Sequence, residues 1–349
     1  MAARPRVKHS VADLLATWYA RGHRDLPWRR TTDAYRIWVS EIMLQQTRAA
    51  AVIPYYDRFV ERFPTVEALA AAAEADVLAL WSGLGYYSRA RNLLHAAREV
   101  AARGVFPRGY EELRRLPGIG DYTAAAVASI AFGEPCAVLD GNVLRVAARM
   151  QNDAGDIGAS KTRERLRAVV ATWLDRREPG AFNQGLMELG ATVCVPRRPL
   201  CTECPLHGQC EALRRGTVHQ LPVKLGKRLP EHIDAVLLLV RRGRRVLLIQ
   251  RPSSERRMPG FWDLPAPEQL PEARLGAIAG RFRHTITHHR YILTVRRASA
   301  PRRLPAGSVF RWLDPRDGSG IPLSTTAKKA LRVADTAAHY DGGDRKAEP

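Results

Sequence analysis

The sequence predicts two domains, a mainly α-helical one followed by a smaller α+β one. Apolar residues recur at helical spacing up to about residue 215, and β-rich runs begin near residue 232. The segment between them is polar, contains prolines and lacks periodicity, as linkers do. A chain of 349 residues is long enough for two sizeable cores. We therefore expect domains over residues 1–218 and 232–336, a linker over 219–231 and a disordered tail over 337–349.

The helical domain begins at Ser10, a residue type that favours helix N-caps. Each helix predicted after it repeats apolar residues on one face, and glycine or proline marks the turns between helices. Most of these faces are expected to form the core. The predicted helices cover SVADLLATWYA, YRIWVSEIMLQQT, TVEALAAAAEADVLALW, SRARNLLHAAREVAAR, YTAAAVASIAF, NVLRVAARM and TRERLRAVVATWLD.

The second domain opens with a predicted hairpin. IDAVLLLV and RVLLIQR are β-rich runs that flank the turn RRGR. RYILTVRRA and SVFRWL are predicted as further strands, and TTAKKALRVADTA as a late helix.

The composition favours a polyanionic partner. Lysine and arginine number 55 against 35 acidic residues, which gives a formal net charge of +20. Such cations suit nucleic acid, although an arginine-rich surface can also be merely solvated. No apolar run is long enough to span a membrane, and none follows the basic N-terminus as a signal peptide requires. We expect a monomer that binds no membrane and lies in the cytoplasm, or at the nucleoid in a bacterium.

Four of the five cysteines are clustered with the spacing Cys194-x6-Cys201-x2-Cys204-x5-Cys210. In a reducing compartment such a cluster more often holds a metal than forms disulfides. A zinc ribbon usually offers two close pairs far apart, whereas four thiolates in one compact loop also suit an iron–sulfur cluster. The spacing leaves zinc and iron–sulfur both open. Cys136 stands alone in an apolar stretch and is predicted to be a small buried side chain.

The stretch LPGIGDYT is a candidate for phosphate binding. Leu116, Gly118 and Gly120 form a tight turn that opens directly into a helix near Asp121. Glycine lets the backbone approach a ligand closely, and free amides at a helix N-terminus attract phosphate. This is the hairpin of a helix–hairpin–helix element that grips one DNA strand; the alternative is a simple turn between helices.

Two carboxylates are candidates for chemistry. Glu41 lies on a strongly apolar helix, where it is either at a solvent boundary or desolvated enough to act as a general acid. Asp140 follows an apolar run and precedes Gly141 and a helix. It either caps that helix or presents its carboxylate at a cleft, and Asn142 can do either as well.

Taken together, the motifs resemble adenine DNA glycosylases of the MutY family, in the endonuclease III superfamily. The matching segments are WVSEIMLQQT, GLGYYSRARNL, LPGIGDYTAAA with LDGNV, and the cysteine loop, and the resemblance runs from about residue 10 to about residue 330. It implies that Cys194, Cys201, Cys204 and Cys210 bind a [4Fe–4S] cluster. It also implies a substrate, double-stranded DNA with adenine opposite 8-oxoguanine or guanine.

The resemblance implies roles for the candidate residues. Glu41 would protonate the extruded adenine, and Asp140 would stabilise the oxocarbenium-like sugar. Tyr122 and Asn142 would assist at the sugar. Lyases of the superfamily carry a lysine at the position of Tyr122, so a monofunctional hydrolase is expected. The implied DNA- or substrate-binding residues are Arg29, Leu44, Gln46, Thr47, Tyr86, Leu116, Gly118, Gly120 and Glu188, with Gln46, Leu44 and Tyr86 as wedges in the base stack and Glu188 near the adenine.

The second domain resembles the MutT-like C-terminal domain of the family. It lacks the acidic run of a Nudix hydrolase and keeps only scattered acids such as Glu268 and Glu272, so we expect a recognition module. The family's Phe-Ser-His loop, which reads 8-oxoguanine, is matched by Ile286-Thr287-His288. Thr287 keeps the hydroxyl and His288 the imidazole, but Ile286 removes the aromatic ring.

Two other functions are compatible with parts of the sequence. A thymine–guanine mismatch glycosylase would share the helical core, Tyr122 and the cysteine loop, but Glu41 and the added domain argue against it. A non-catalytic iron–sulfur DNA-binding protein would not need both Glu41 and Asp140.

Overall fold

The computed structural model describes residues 10–226, 231–252, 254–255, 258–286, 289–314 and 321–341. The chain forms two compact units: Met1–Ala71 with Asn92–Lys227, and Ala72–Arg91 with Arg228–Pro349. The break near residue 227 falls inside the predicted linker. The grouping of Ala72–Arg91 with the second unit was not predicted, because it depends on contacts between residues far apart in sequence.

The helices follow the predicted order with five differences. TVEALAAAAEADVLALW forms two helices rather than one. Four helices absent from the prediction are present: two short ones, Tyr110–Arg114 and Glu211–Arg214, and two that contain proline, one with Pro54 inside and one that begins at Pro179. Proline lowers helix propensity and hid the last two from a periodicity argument. The helices are α1 Val11–Arg21, α2 Ala34–Leu44, α3 Ala49–Arg62, α4 Val66–Ala70, α5 Glu74–Trp81, α6 Ser88–Arg103, α7 Tyr110–Arg114, α8 Asp121–Phe132, α9 Gly141–Met150, α10 Ser160–Trp173, α11 Pro179–Thr192 and α12 Glu211–Arg214.

Ser10 caps α1 as predicted. Its side chain accepts a hydrogen bond from the Asp13 amide at 3.0 Å, and the Asp13 carboxylate accepts one from the Ser10 amide. This reciprocal arrangement satisfies two backbone donors that the helix itself leaves unpaired.

The helices α9 and α11 pack closely at the point where α9 begins, next to Asp140 and Asn142. Gly190 on α11 lies so close to Asn142 on α9 that an added Cβ would be 2.7 Å from the Asn142 Cβ and 3.1 Å from its Cα. Side chains beneath this contact, such as Leu144, Leu186 and Leu189, are buried. The backbone that carries Asp140 and Asn142 is therefore held against α11 without room for a methyl group.

The second unit contains a mixed sheet. Its strands are β1 Glu231–Arg242, β2 Arg245–Gln250, β3 Trp262–Asp263, β4 Leu275–Ile286, β5 His289–Ala298 and β6 Phe310–Leu313. Their order is β3-β2-β1-β5-β4, with β6 paired to β2. β1 and β5 are parallel, whereas the other pairs are antiparallel. The helix α13, Thr325–Asp341, follows the last strand.

The predicted hairpin is confirmed, since β1 and β2 pair through Arg242 and Arg245 around a two-residue turn. β4 was not predicted, because Gly276 and Gly280 interrupt its alternation. α13 covers one face of the sheet, where Ala330 and Leu331 pack with Val295. It continues to Asp341, so the predicted tail begins inside a helix, and the remainder of that tail lies outside the described residues.

In the described part of the chain, no helix combines the length and the apolar character that crossing a membrane requires. β4 ends at Ile286 and β5 begins at His289. Thr287 and His288, the predicted lesion-reading residues, lie outside the described residues.

Candidate active site

A cavity of about 1010 Å³ in the first unit is lined by most of the predicted catalytic and DNA- or substrate-binding residues. Its walls come from α2, the start of α3, the N-terminal ends of α8 and α9, and α11. Leu116, Gly118 and Glu188 do not line it, and Tyr86 belongs to the second unit. The predicted residues that do line it are Arg29, Glu41, Leu44, Gln46, Thr47, Gly120, Tyr122, Asp140 and Asn142.

Glu41 is the buried acid of this cavity. It faces inward from α2 with 4% of its surface exposed, among the buried side chains of Ile37, Ile42 and Met43. Burial raises the pKa of Glu41 to about 7, and the charge of Asp140 adds to the increase, while a hydrogen bond from Tyr122 opposes it. Of the two alternatives left by the sequence, the desolvated carboxyl is the one that the structure shows.

Tyr122 connects α8 to Glu41. Its hydroxyl donates to Glu41 Oε2 at 2.5 Å, and the Tyr122 hydroxyl oxygen lies 3.2 Å from the Met187 sulfur. Burial and then the neighbouring carboxylate Glu41 raise the pKa of Tyr122 well above its usual range. The phenol therefore remains neutral and acts as a hydrogen-bond donor.

Asp140 performs both functions that the sequence left open. Its Oδ1 caps α9 by accepting from the Val143 amide at 2.7 Å. Its Oδ2 accepts from the Asn142 side-chain amide at 2.9 Å, and the residue lines the cavity. The Asp140 carboxylate is therefore held by two donors at a helix N-terminus while it faces the cavity.

The two carboxylates differ in their hydrogen-bond donors. Burial raises the pKa of Asp140 as well, but the Val143 amide and the Asn142 side chain oppose that increase. Glu41 has only the Tyr122 hydroxyl as an opposing hydrogen bond. The donors around Asp140 therefore favour its ionised form, whereas burial favours the protonated form of Glu41.

Glu188 is occupied by two arginines. The Arg24 guanidinium donates to both of its oxygens at 2.7–3.1 Å, and Arg29 donates to Oε2 at 2.8 Å. Burial alone would raise the pKa of Glu188, but the hydrogen bonds from Arg24 and Arg29 lower it to about 2. Since both arginines line the cavity and Glu188 does not, Glu188 holds them in place from behind. Its predicted position near the adenine stays a prediction.

Two predicted wedge residues have unusual backbone conformations. Gln46 has φ of 59° and Tyr86 has φ of 50°, both in the left-handed region that residues other than glycine seldom occupy. Gln46 is exposed at the cavity, and 44% of the Tyr86 surface is exposed. The guanidinium of Arg89 lies 5.5 Å from the centre of the Tyr86 ring. Both side chains are therefore accessible at the surface, as wedging would require.

The predicted helix–hairpin–helix element is present as α7, a tight turn and α8. Gly118 has φ of 77°, and a Cβ there would lie 2.6 Å from the Asn92 Cβ, so only glycine fits. Gly120 is the N-cap of α8, without a side-chain cap, and has open space around it. Leu116 is buried, so its side chain supports the turn and does not face outward.

The four clustered cysteines surround a common space. All five cysteines of the chain are free of disulfides, and Cys136 is partly buried against the core. Cys194, Cys201, Cys204 and Cys210 line one small cavity of about 30 Å³ together with apolar residues such as Val193 and Leu200. In the described ranges, no three Cys, His, Asp or Glu side chains are placed to ligate one common metal ion.

Two arginines of α9 that the sequence argument missed join the cysteine loop to the cavity. Arg149 is 1% exposed and donates to Cys194 Sγ at 3.3 Å and to the Val195 carbonyl at 2.9 Å. Arg145 donates to Asn142 Oδ1 at 2.9 Å and to the Cys194 carbonyl at 2.7 Å. Their spacing of four residues on an otherwise apolar helix was the available signal for burial.

Comparison with known proteins places this geometry in a DNA-repair context. A family model described as HhH-GPD superfamily base excision DNA repair protein matches residues 39–172. The chain is 34% identical over 400 residues to the adenine DNA glycosylase of Homo sapiens, which covers 91% of this chain and 73% of the relative. It is 46% identical over 203 residues to the adenine DNA glycosylase of Mycobacterium tuberculosis, and that alignment covers 57% of this chain and 66% of the relative.

Among solved structures, the chain resembles a thermostable thymine-DNA glycosylase with a TM-score of 0.52 and 31% identity. That similarity covers 58% of this chain and 95% of the other. An endonuclease III–DNA complex shares the fold with a TM-score of 0.51 at 22% identity, over 62% of this chain and 99% of the other. The alignment with the human relative reaches well beyond the part that these structures cover.

Proposed function

The chain belongs to the adenine DNA glycosylase family and excises adenine in base excision repair, and we propose that the adenine it removes is the one paired with 8-oxoguanine or guanine. Glu41 and Asp140 carry this proposal. One cavity contains both the Glu41 carboxyl, whose pKa burial raises to about 7, and the Asp140 carboxylate, whose ionised form is favoured by two hydrogen-bond donors. Cleaving an N-glycosidic bond needs an acid for the leaving base and an anion for the developing sugar cation.

The proposed mechanism assigns one step to each group. The adenine leaves the duplex and enters the cavity, where Glu41 donates its proton to a ring nitrogen as the bond to the sugar lengthens. Tyr122, a neutral donor 2.5 Å from Glu41, holds that carboxyl in place. Asp140 faces the sugar and stabilises its positive charge, while Asn142 fixes the Asp140 carboxylate. Water then adds to the sugar and gives up a proton to the Glu41 carboxylate, which leaves an abasic site and restores the acid.

A single-turnover assay on three duplexes tests the proposal. The duplexes carry adenine opposite 8-oxoguanine, adenine opposite guanine, and thymine opposite guanine. We expect free adenine from the first two and no thymine from the third. Release of thymine would instead favour a thymine–guanine mismatch glycosylase. The similarity to the solved thymine-DNA glycosylase, taken alone, is compatible with that function.

We also propose that the four clustered cysteines bind a [4Fe–4S] cluster. The four sulfurs come from one compact loop and line a single small cavity, and four thiolates in a compact loop suit an iron–sulfur cluster. The Arg149 guanidinium donates to Cys194 Sγ, which suits a thiolate. A bound cluster would hold the loop in shape.

Replacing Cys201 with serine tests the cluster assignment. We expect the variant to lose iron and the broad brown absorbance, to bind DNA more weakly and to give less soluble protein, because metal binding contributes to folding. Iron and zinc content of the purified protein are the direct measurements, with Cys136→Ser as the matched control outside the loop. Wild-type protein that contains zinc and no iron would overturn the assignment.

The second unit is proposed to read the base opposite the adenine through a MutT-like domain. The human relative aligns over 91% of the chain, so the similarity extends into this unit. An enzyme that removes an undamaged adenine must examine its partner. 8-Oxoguanine differs from guanine by a C8 oxygen and an N7 hydrogen, and the Thr287 hydroxyl and the His288 imidazole are suitable partners for these groups.

Substituting Thr287 or His288 with alanine should reduce the preference for adenine opposite 8-oxoguanine over adenine opposite guanine. A lost hydrogen bond costs about 1–3 kcal/mol, so the preference should fall by about ten-fold or somewhat more. The measurement is single-turnover excision and binding on both duplexes at one salt concentration. Ile286→Phe is the comparison variant and should keep or raise the preference. Equal losses on both duplexes would show that these residues hold DNA without reading the lesion.

A further inference from the structure

We propose that Arg48, Arg163 and Lys224 form a phosphate clamp that holds the DNA backbone on either side of the extruded adenosine. The proposal deepens the proposed function and rests on it. The clamp residues come from three separate segments of the first unit, and each lines the cavity that contains Glu41 and Asp140. None of them belongs to the motifs that point to the family.

All three clamp residues are exposed. Arg48 is the N-cap of α3, and Arg163 lies in the first turn of α10. Lys224 follows α12 and lies in the predicted linker. Glu41, by contrast, is buried and Asp140 is partly buried. The cavity is therefore acidic in its depth and cationic at its mouth.

The position of Lys224 is fixed by the chain on either side of it. The Ile157 amide donates to the Val223 carbonyl at 3.0 Å, and the Leu225 amide donates to Asp156 Oδ1 at 3.1 Å. These bonds attach residues 223–225 to the loop before α10, whose Ile157 and Gly158 also line the cavity. The predicted linker thus contributes a side chain to the candidate active site.

The clamp residues are available for an anionic ligand. None of the three forms an ion pair with any residue that the structure describes, whereas Arg24 and Arg29, in the same cavity, are both bound to Glu188. The N-terminus of α3 has no side-chain cap, and Ala49 and Ala50 at that end line the same cavity. Its amides and the helix dipole add to the attraction for phosphate.

The geometry of the substrate matches this distribution of charge. When the base reaches Glu41 and the sugar reaches Asp140, the two phosphates attached to that sugar remain at the mouth. An extruded nucleotide also loses stacking and pairing, so contacts made only in the extruded state must compensate. Cations at the mouth make such contacts and offset the repulsion between DNA and the Asp140 carboxylate.

The test compares the salt dependence of binding for Arg48→Ala, Arg163→Ala, Lys224→Ala and the triple variant. The probe is a duplex with a non-cleavable 2′-fluoro-adenosine opposite 8-oxoguanine. The slope of log K against log salt is negative, and each lost phosphate contact should make it less negative by about 0.9. The slope of the triple variant should therefore be less negative than the wild-type slope by about 2.7. Affinity at physiological salt should fall several-fold per substitution. Arg176→Ala, an exposed arginine outside the cavity, is the matched control and should leave the slope unchanged.

Two comparisons distinguish the clamp from general attraction to DNA. Arg163→Lys should keep the wild-type slope, and an undamaged duplex should show a smaller change than the 2′-fluoro-adenosine duplex. Unchanged slopes in the triple variant, or equal changes in Arg176→Ala or on undamaged DNA, would overturn the clamp. Failure of the wild-type protein to release adenine from the natural duplex would instead overturn the proposed function.

Discussion

Glu41→Gln is expected to lower adenine excision by about 10²–10⁴-fold under single-turnover conditions, which is the usual contribution of a general acid. Glutamine keeps the shape of the side chain and can still accept the hydrogen bond that Tyr122 donates to Glu41. It cannot supply a proton to the leaving base. The measurement is the rate of adenine release at saturating enzyme, with binding to a 2′-fluoro-adenosine duplex as the control for an intact fold.

The pH profile adds a readout that a merely structural role would not change. The pKa of Glu41 is raised to about 7, so the protonated, active form is lost as the pH rises through that value. The wild-type excision rate should therefore decrease above about pH 7. The residual rate of the glutamine variant should lack this decrease. A variant with near wild-type rates and an unchanged profile would remove Glu41 from the mechanism.

Asp140→Asn is expected to lower excision by about 10²–10³-fold, comparable to the loss of a preorganised electrostatic contact at a reacting centre. Asparagine is as good an N-cap as aspartate, so the bond from the Val143 amide to this position should persist and α9 should remain in place. What is lost is the negative charge that faces the sugar cation.

A matched control separates the loss of the Asp140 charge from a disturbance of the fold. Single-turnover excision is measured beside Glu164→Gln, an exposed acid on α10 outside the cavity, which should behave as wild type. Binding to the 2′-fluoro-adenosine duplex should remain or strengthen slightly in Asp140→Asn, because a negative charge near the DNA is removed. Normal excision by this variant would show that Asp140 only caps α9.

The candidate catalytic residues stand in informative local contexts, but their roles were implied only by the resemblance to the family. Glu41 stands among large apolar residues of one helix, which left its carboxyl either at a solvent boundary or desolvated, and the structure shows the desolvated carboxyl. Asp140 stands directly before a helix, so capping followed from its position, and the structure shows that one oxygen caps while the other faces Asn142. The turn at Gly118 was likewise specified by residues adjacent in sequence.

Features that depend on distant parts of the chain were not predictable in this way. Arg24 and Arg29 donate hydrogen bonds to Glu188, which lies about 160 positions away in the sequence. The spacing of residues along the chain could not predict these pairs. Lys224 lies in a polar segment without periodicity, so the sequence indicated a linker where the structure shows a wall of the cavity. The grouping of Ala72–Arg91 with the second unit has the same origin.

The burial of Glu41 affects which variants a screen for thermostability would select. Because its folded-state pKa is about 7 against an ordinary 4.5, the folded protein holds this proton more tightly than the unfolded chain does. The free energy of unfolding therefore decreases as the pH rises from about 4.5 to about 7, by about 3 kcal/mol in all. A library screened only for heat resistance at pH 8 should accordingly enrich neutral residues at position 41, and each such gain in thermostability would coincide with the loss of repair.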